Sequence, residues 1–365
     1  MRAVFTEKTR QRLDATAEAA PARFVETARA CFEKAAHAAG GVQERMLRLG
    51  EHRVLFRFAG GQLVPLVVRA LAHREIPLDG NADLTVCFFD SESTRTPMPP
   101  PPWSPEQFTG FGEIEGYNDE RVQVAYGPGV DILQCLDRDR SLALYWTPSY
   151  RLIPWWEQSF PLRFILNWWL KDGAFQPLHA AGVGTASGGV LITGPGGSGK
   201  STAALACLGT ELRFAGDDYV LVRSAPSPHV YCLYSTAKIE ADNLRRFPHL
   251  APIVSNAERL GSEKAVFFLN EHCAAHLIEG FPIRAILTTK VSGLRDTTVE
   301  PTTAMAALKA LTPMMLYLRG TRRQTLEKIL RLVKSVPVYT LLAGTDLALI
   351  PVAISGLLEK LETSD

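Results

Sequence analysis

Residues 194–201 read GPGGSGKS and fit the pattern G-x-x-x-x-G-K-[ST], with Gly194, Gly199, Lys200 and Ser201 at the fixed positions. Glycines tolerate positive φ, so successive backbone N–H groups can be aimed at one anion. Lys200 adds an ammonium that reaches the β and γ phosphates of a nucleotide, and Ser201 adds a hydroxyl that suits Mg2+. The apolar run Val190-Leu191-Ile192 before the loop reads as a strand. The run KSTAALACLG after it reads as a helix ended by Gly209. Strand, glycine loop, helix is the setting in which such a loop holds phosphate, with the helix N-terminus adding partial positive charge. The predicted phosphate cradle is Gly194, Gly196, Gly197, Ser198, Gly199, Lys200, Ser201 and Thr202. The bland alternative is a glycine-rich turn that holds nothing.

A phosphate loop alone names no reaction. The chain contains no N-K-x-D guanine-reading motif and no L-S-G-G-Q. The strongest partner of the loop is AGDDYVLV, in which Asp217 and Asp218 follow Lys200 by 17 and 18 residues. Adjacent residues on an extended chain point to opposite sides, so two neighbouring acids at a turn can divide two tasks. One can hold Mg2+ and the other can accept a proton from an attacking hydroxyl. Upstream, in PLHAAGVG, His179 lies just before the loop's strand and can share a proton with an aspartate. The alternative for His179 is a histidine hydrogen-bonded within the core.

LHAAGVGTASGGVLITGPGGSGKSTAALACL followed by FAGDDYVLV resembles the catalytic domain of HPr kinase/phosphorylase. It is more closely similar to the related serine kinases, some of which accompany peptide-modification gene clusters. The likeness is clearest over residues 178–222. It implies that Lys200 and Ser201 bind nucleotide phosphate and Mg2+, that one aspartate of the 217/218 pair acts as general base toward a serine hydroxyl, and that His179 supports it. The implied cofactors are ATP and Mg2+, with Ser201 and Asp218 as the implied metal ligands; which aspartate is the base stays open. The implied fold is an α/β catalytic domain akin to phosphoenolpyruvate carboxykinase, with the P-loop on a mixed sheet. The bifunctional enzyme carries a signature near L-E-x-R-G-x-G after the acidic turn, whereas this chain reads VYCLYSTAKIEADNL, where Lys238 is the nearby cation. Phosphorolysis of phosphoserine is therefore not expected, and HPr is not expected as the acceptor.

Other groups invite chemistry. Arg284, Arg319, Arg322 and Arg323 are candidates for neutralising a transferring phosphoryl group, because arginine meets phosphate bidentately. In NEHCAAHLIEG, His272 and His276 stand four apart beside Glu271 and Cys273, but the H-E-x-x-H order is missing. The doublets Trp155-Trp156 and Trp168-Trp169 read as core or interface packing.

The elements that must position these groups fall into two blocks. Residues 1–155 read as a smaller α+β domain, with polar helices over 1–50 and then mostly antiparallel strands, among them RVLFRFAGG, LTVCFFDS, RVQVAYG and SLALYWT. LVPLVVRALAHR is a predicted helix between strands, and TPMPPPPWSP is a stiff polyproline connection. Residues 156–365 read as the P-loop α/β catalytic domain, entered through a helix at 161–171. TRRQTLEKILRLVKS is expected to be amphipathic, with Leu326, Ile329, Leu330 and Val333 inward.

The 365 residues carry 46% hydrophobic and 21% charged residues, as a globular protein does, and no internal repeat. A net charge of +1 argues against a dedicated nucleic-acid binder. The N-terminus lacks an apolar signal core and no run of about 18 apolar residues occurs, so neither secretion nor membrane insertion is expected. Cys31, Cys87, Cys135, Cys207, Cys232 and Cys273 form no C-x-x-C pair and read as free thiols of a cytoplasmic protein. The expected function is ATP- and Mg2+-dependent transfer of a phosphoryl group to a serine of a peptide or small protein, with the N-terminal domain selecting the acceptor. A small-molecule kinase acting on a free amino acid and a non-catalytic nucleotide-binding regulator stand as alternatives, and homo-oligomerisation is left open.

Overall fold

The computed structural model describes residues 7–127, 129–313 and 318–363, with side chains from residue 20 onward. The first six residues and Tyr317 of YLRGTRRQT lie outside them. The fold is mixed α/β. A long helix, α1 (Glu7–Ala38), precedes a sheet of β1 (Val42–Leu49), β2 (His52–Ala59), β3 (Glu75–Ile76), β4 (Leu84–Asp90), β5 (Val122–Gly127), β6 (Ile132–Asp137) and β7 (Leu142–Thr147). Their order is β3-β1-β2-β4-β7-β6-β5. The β2–β4 and β4–β7 pairs are parallel and the others antiparallel. The short helices α2 (Val64–Val68) and α3 (Ser91–Thr94) lie in the connections.

Alternation explains how this sheet buries both faces. Phe56, Phe58, Val86 and Phe88 point into one core, while Cys87 and Phe89 point into another. The second core is closed by α1 through Phe24, Ala28, Phe32 and Ala35, the spacing of one helical stripe.

Two short helices, α4 (Trp155–Ser159) and α5 (Arg163–Trp169), lead into the second sheet. It contains β8 (Phe175–Leu178), β9 (Ala181–Thr185), β10 (Gly188–Thr193), β11 (Arg213–Gly216), β12 (Val220–Arg223) and β13 (His229–Tyr231). A separate ladder pairs β14 (Thr236–Ile239) with β15 (Ala265–Phe268). The second sheet is completed by β16 (Gly280–Val291), β17 (Thr298–Pro301) and β18 (Val338–Ala343). Its helices are α6 (Lys200–Ala206), α8 (Ala304–Leu311), α9 (Arg322–Ser335) and α10 (Leu349–Glu362), and the four-residue α7 (Leu269–His272) follows β15.

β16 is the spine of this sheet. Its start pairs antiparallel with β13, and its later residues pair parallel with β10 and β18. All six residues of β10 are buried, as expected of a strand covered on both faces. Val190 and Ile192 meet α6 and α10 on one face, and Leu191 joins α8 and α9 on the other. The result is three layers, with the carboxyl ends of β10, β16 and β18 at one edge.

The two sheets share a core. Phe175 and Leu221 of the second, with Tyr219 just before β12, pack with Leu49, Val54 and Tyr145 of the first. The β1–β2 turn sits so close to β12 and β8 that a Cβ on Gly50 would lie 2.9 Å from Leu221 Cδ2 and 3.0 Å from Phe175 Cε1. On α9, the buried Lys328 donates to the Leu170 and Phe175 carbonyls at 2.6 and 2.8 Å.

Several local expectations are corrected. Residues 42–49 form β1, not helix, because a full ladder with β2 outweighs the helix propensity of Gln, Glu, Arg, Met and Leu. β6, a completely buried run, is a strand beyond those the sequence pattern picks out. The inward face of α9 is Thr325, Lys328, Ile329, Leu332 and Val333, rotated from the stripe expected, with Leu326 and Leu330 only half-buried. Trp168 is buried but Trp156 is 40% exposed. Among the described residues no helix is long and apolar enough to cross a membrane.

Candidate functional site

The glycine loop leaves the carboxyl end of β10, between β9 and β16, and ends at α6. Gly197 and Gly199 adopt φ of +77° and +98°, which glycine takes without strain. Gly194 is required for a different reason. A Cβ there would meet Ser198 Oγ at 2.5 Å and Thr289 Oγ1 at 2.8 Å. Those two hydroxyls are 2.7 Å apart and pin the loop to β16. The Lys200 ammonium curls over the loop onto the Gly194 and Pro195 carbonyls, at 2.8 and 3.1 Å. Burial holds its pKa below the ordinary lysine value, opposed by the nearby Asp218 and Asp217. α6 starts at Lys200 with Gly199 as its N-cap, so its first-turn N–H groups stand at the end of the loop.

The two aspartates occupy the link between β11 and β12. Asp218 has φ +61°, and the Tyr219 N–H donates to the Asp217 carbonyl at 2.7 Å, forming a three-residue turn. Such a conformation costs about 1–3 kcal/mol in a non-glycine residue. It separates the two side chains. Asp217 is completely buried and accepts from the Ser201 hydroxyl at 3.0 Å and from the Lys238 N–H at 3.2 Å. Asp218 turns instead to His179 Nε2 at 3.5 Å and Lys238 Nζ at 3.1 Å.

Burial, with the charge of Asp218 beside it, pushes Asp217 up to about 6. Burial would raise Asp218 as well, but the hydrogen bond from His179 and the charge of Lys238 outweigh it and hold this carboxyl well below the usual range. One acid is thus shielded and proton-hungry, and its neighbour is firmly ionised.

His179 comes from the link between β8 and β9. Lys238 comes from β14, and its ammonium lies 4.3 Å from the centre of the Phe160 ring. Lys264, immediately before β15, pairs with Glu240 at 2.9 Å.

These groups line one cleft of about 250 Å³. Of the residues singled out in the sequence, Gly196, Gly197, Gly199, Lys200, Ser201 and Thr202 line it, as do His179 and Asp218. Gly194 and Ser198 stand behind the loop, and Asp217 stands behind Ser201. The Ser201 hydroxyl is bonded to Asp217, while Asp218, the other metal ligand the resemblance implies, lines the cleft with Ser201 and turns to His179 and Lys238.

None of Arg284, Arg319, Arg322 and Arg323 lines the cleft. Arg284 reaches the Ser187 carbonyl at the opposite end of β10, and Arg323 pairs with Glu327 on the exposed side of α9. The cations that do line it are Lys200, Lys238, Lys264 and Arg246. Lys264 and Arg246 have no motif to announce them. The β14–β15 ladder and the turn Ala241–Arg246 that follows β14 bring them in. Glu271 is engaged by Arg69 at 2.6 Å, and among the described residues no three His, Cys, Asp or Glu side chains gather as a metal-holding group.

No family model matches the chain, and no curated protein matches it. Among solved structures, the Hpr(Ser) kinase/phosphatase from Coxiella burnetii aligns with 52% of this chain and 99% of its own length, at 11% identity and a TM-score of 0.29. A likeness that weak carries no argument, so the functional reading rests on the cleft itself.

Proposed function

We propose that the cleft binds ATP with Mg2+ and transfers the terminal phosphoryl group to a serine hydroxyl of a peptide or small protein. The observation that carries this reading is the division between Asp217, bonded to Ser201 at 3.0 Å, and Asp218, held by His179 and Lys238 at the cleft surface. The glycine loop offers backbone N–H groups to the phosphates and Lys200 offers its ammonium. Ser201 presents a hard hydroxyl oxygen at the cleft, and Asp217, hydrogen-bonded behind it, would support a magnesium ion there from the second layer. When bound there, Mg2+ supplies charge neutralisation to the phosphate oxygens.

Asp218 receives the acceptor hydroxyl. The hydroxyl oxygen attacks the γ phosphorus, the bond from that phosphorus to the β–γ bridging oxygen breaks, and ADP leaves with the electron pair. The hydroxyl proton passes to the Asp218 carboxylate. A carboxylate held this strongly ionised is a weak base, so orienting the nucleophile is its larger contribution; loose phosphoryl transfer depends mainly on positioning and charge. Lys238 and His179 fix the carboxylate for that task. The first sheet, packed against the second, is assigned the selection of the acceptor.

The test is incubation of the full chain with γ-labelled ATP, Mg2+ and a panel of serine-, threonine- and tyrosine-containing peptides. Label on serine supports the reading. ATP binding with no label on any acceptor, free amino acids included, overturns it in favour of a nucleotide-binding regulator.

A further inference from the structure

The cleft extends past the groups that phosphoryl transfer uses. β9 and β11 flank β10 on one side and deliver His179 and Asp218. β16 and β18 lie on the other side, and their carboxyl ends supply Val291, Ala343 and Gly344 to the cleft wall. Arg246, from the turn Ala241–Arg246, completes this wall.

Its chemistry differs from that of the acidic side. Val291 is 56% exposed, an apolar side chain left at the mouth of a charged cleft. It stands beside the phosphate loop, since its Cγ2 is the nearest atom to a Cβ built on Gly199, at 3.6 Å. Gly344 lets the backbone of the wall pack tightly behind the cleft; a Cβ there would lie 2.3 Å from the Arg295 carbonyl oxygen. Arg246 donates to the Thr345 carbonyl at 3.2 Å, which ties its guanidinium to this end of the cleft. Among the described residues it meets no carboxylate within ion-pair distance.

We propose that this wall seats the nucleobase: a purine ring lies on Val291 and the Ala343–Gly344 backbone, with the Arg246 guanidinium stacked on it. A flat ring with polarizable faces is the occupant that combines an apolar ledge with a planar cation. The geometry of the substrate agrees. The γ phosphate must face Asp218, so the nucleoside leaves the loop on the opposite side of β10, where Val291 stands. The inference rests on the triphosphate reading of the loop and adds the part of the ligand that the loop cannot hold.

Calorimetric titration of the full chain with two probes, MgATP and magnesium tripolyphosphate, tests it. The variants are Arg246→Ala, Arg246→Lys, Val291→Ser and Lys200→Ala. Both Arg246 variants are expected to weaken MgATP about tenfold while changing tripolyphosphate affinity less than about twofold, because stacking is lost with or without the charge. Val291→Ser weakens MgATP by about threefold, and Lys200→Ala weakens both probes. Unchanged tripolyphosphate binding also shows that the Arg246 and Val291 variants are folded. Arg246 variants that weaken both probes equally would make Arg246 a phosphate ligand and overturn the proposal, as would unchanged MgATP affinity. A wild-type chain that binds neither probe removes the triphosphate reading itself, and the nucleobase site with it.

Discussion

The Ser201 hydroxyl donates to Asp217 Oδ1 across 3.0 Å, and this bond sets the surroundings of two adjacent carboxylates apart. Asp217 lies buried behind the glycine loop. Asp218, displaced by one residue and a positive φ, is left to face the cleft with His179 and Lys238.

The division predicts different lesions from two equally conservative changes. Asp218→Asn is expected to keep MgATP affinity within about threefold and to lose transfer by about 10²–10⁴-fold. Asp217→Asn is expected to weaken MgATP itself, with the loss disappearing when binding is measured without divalent cation. Titration calorimetry alongside an acceptor-labelling assay checks both. Two variants with the same profile would contradict the division.

Gly194 and Gly196 are both in the loop, yet only one of them is hemmed in. Gly194→Ala drives a methyl into Ser198 and Thr289 and should destabilise the chain by about 1–3 kcal/mol while weakening nucleotide binding. A Cβ on Gly196 meets nothing within 4 Å, so Gly196→Ala should melt within about a degree of wild type. Thermal unfolding of the two variants decides the matter, and equal melting temperatures would contradict the packing described.

Glu157 supplies a pH test away from the cleft. It is buried on α4, 3.8 Å from Arg163, and burial lifts it to about 7 despite that charge. An acid whose pKa rises on folding binds more protons folded than unfolded. Stability from this group is therefore complete below the ordinary value of 4.5 and is lost as pH rises through about 7. Glu157→Gln removes the charged form, so its stability relative to wild type should improve by about 2 kcal/mol between pH 5 and pH 8. Melting temperatures at the two pH values give the answer; a difference that stays constant or moves the other way would show that Glu157 is not held as described.

Much of this site was legible in the sequence because local rules govern it. The loop, its preceding buried strand and its following helix are contiguous, and glycine spacing reports the backbone directly. The acidic pair was legible as a pair. Its division was not, because the partners of each acid depend on one positive φ and on a strand 21 residues further on, from Asp217 to Lys238. The four cleft cations illustrate the same limit. Lys200 belongs to a motif, but Arg246 and Lys264 arrive through a turn and a two-stranded ladder that no spacing encodes. In the first sheet, RVLFRFAGG alternates and LTVCFFDS is an apolar run buried on both faces, whereas VQERMLRL is helix-favouring in composition and becomes a strand through pairing with its neighbour.

Titration of MgATP into the full chain, with Lys200→Ala as its partner, tests the central claim most directly. The account predicts saturable binding at one site per chain, dependent on the divalent cation and weakened at least tenfold by the substitution. Absence of heat from the wild-type chain, or identical isotherms for both proteins, would contradict it.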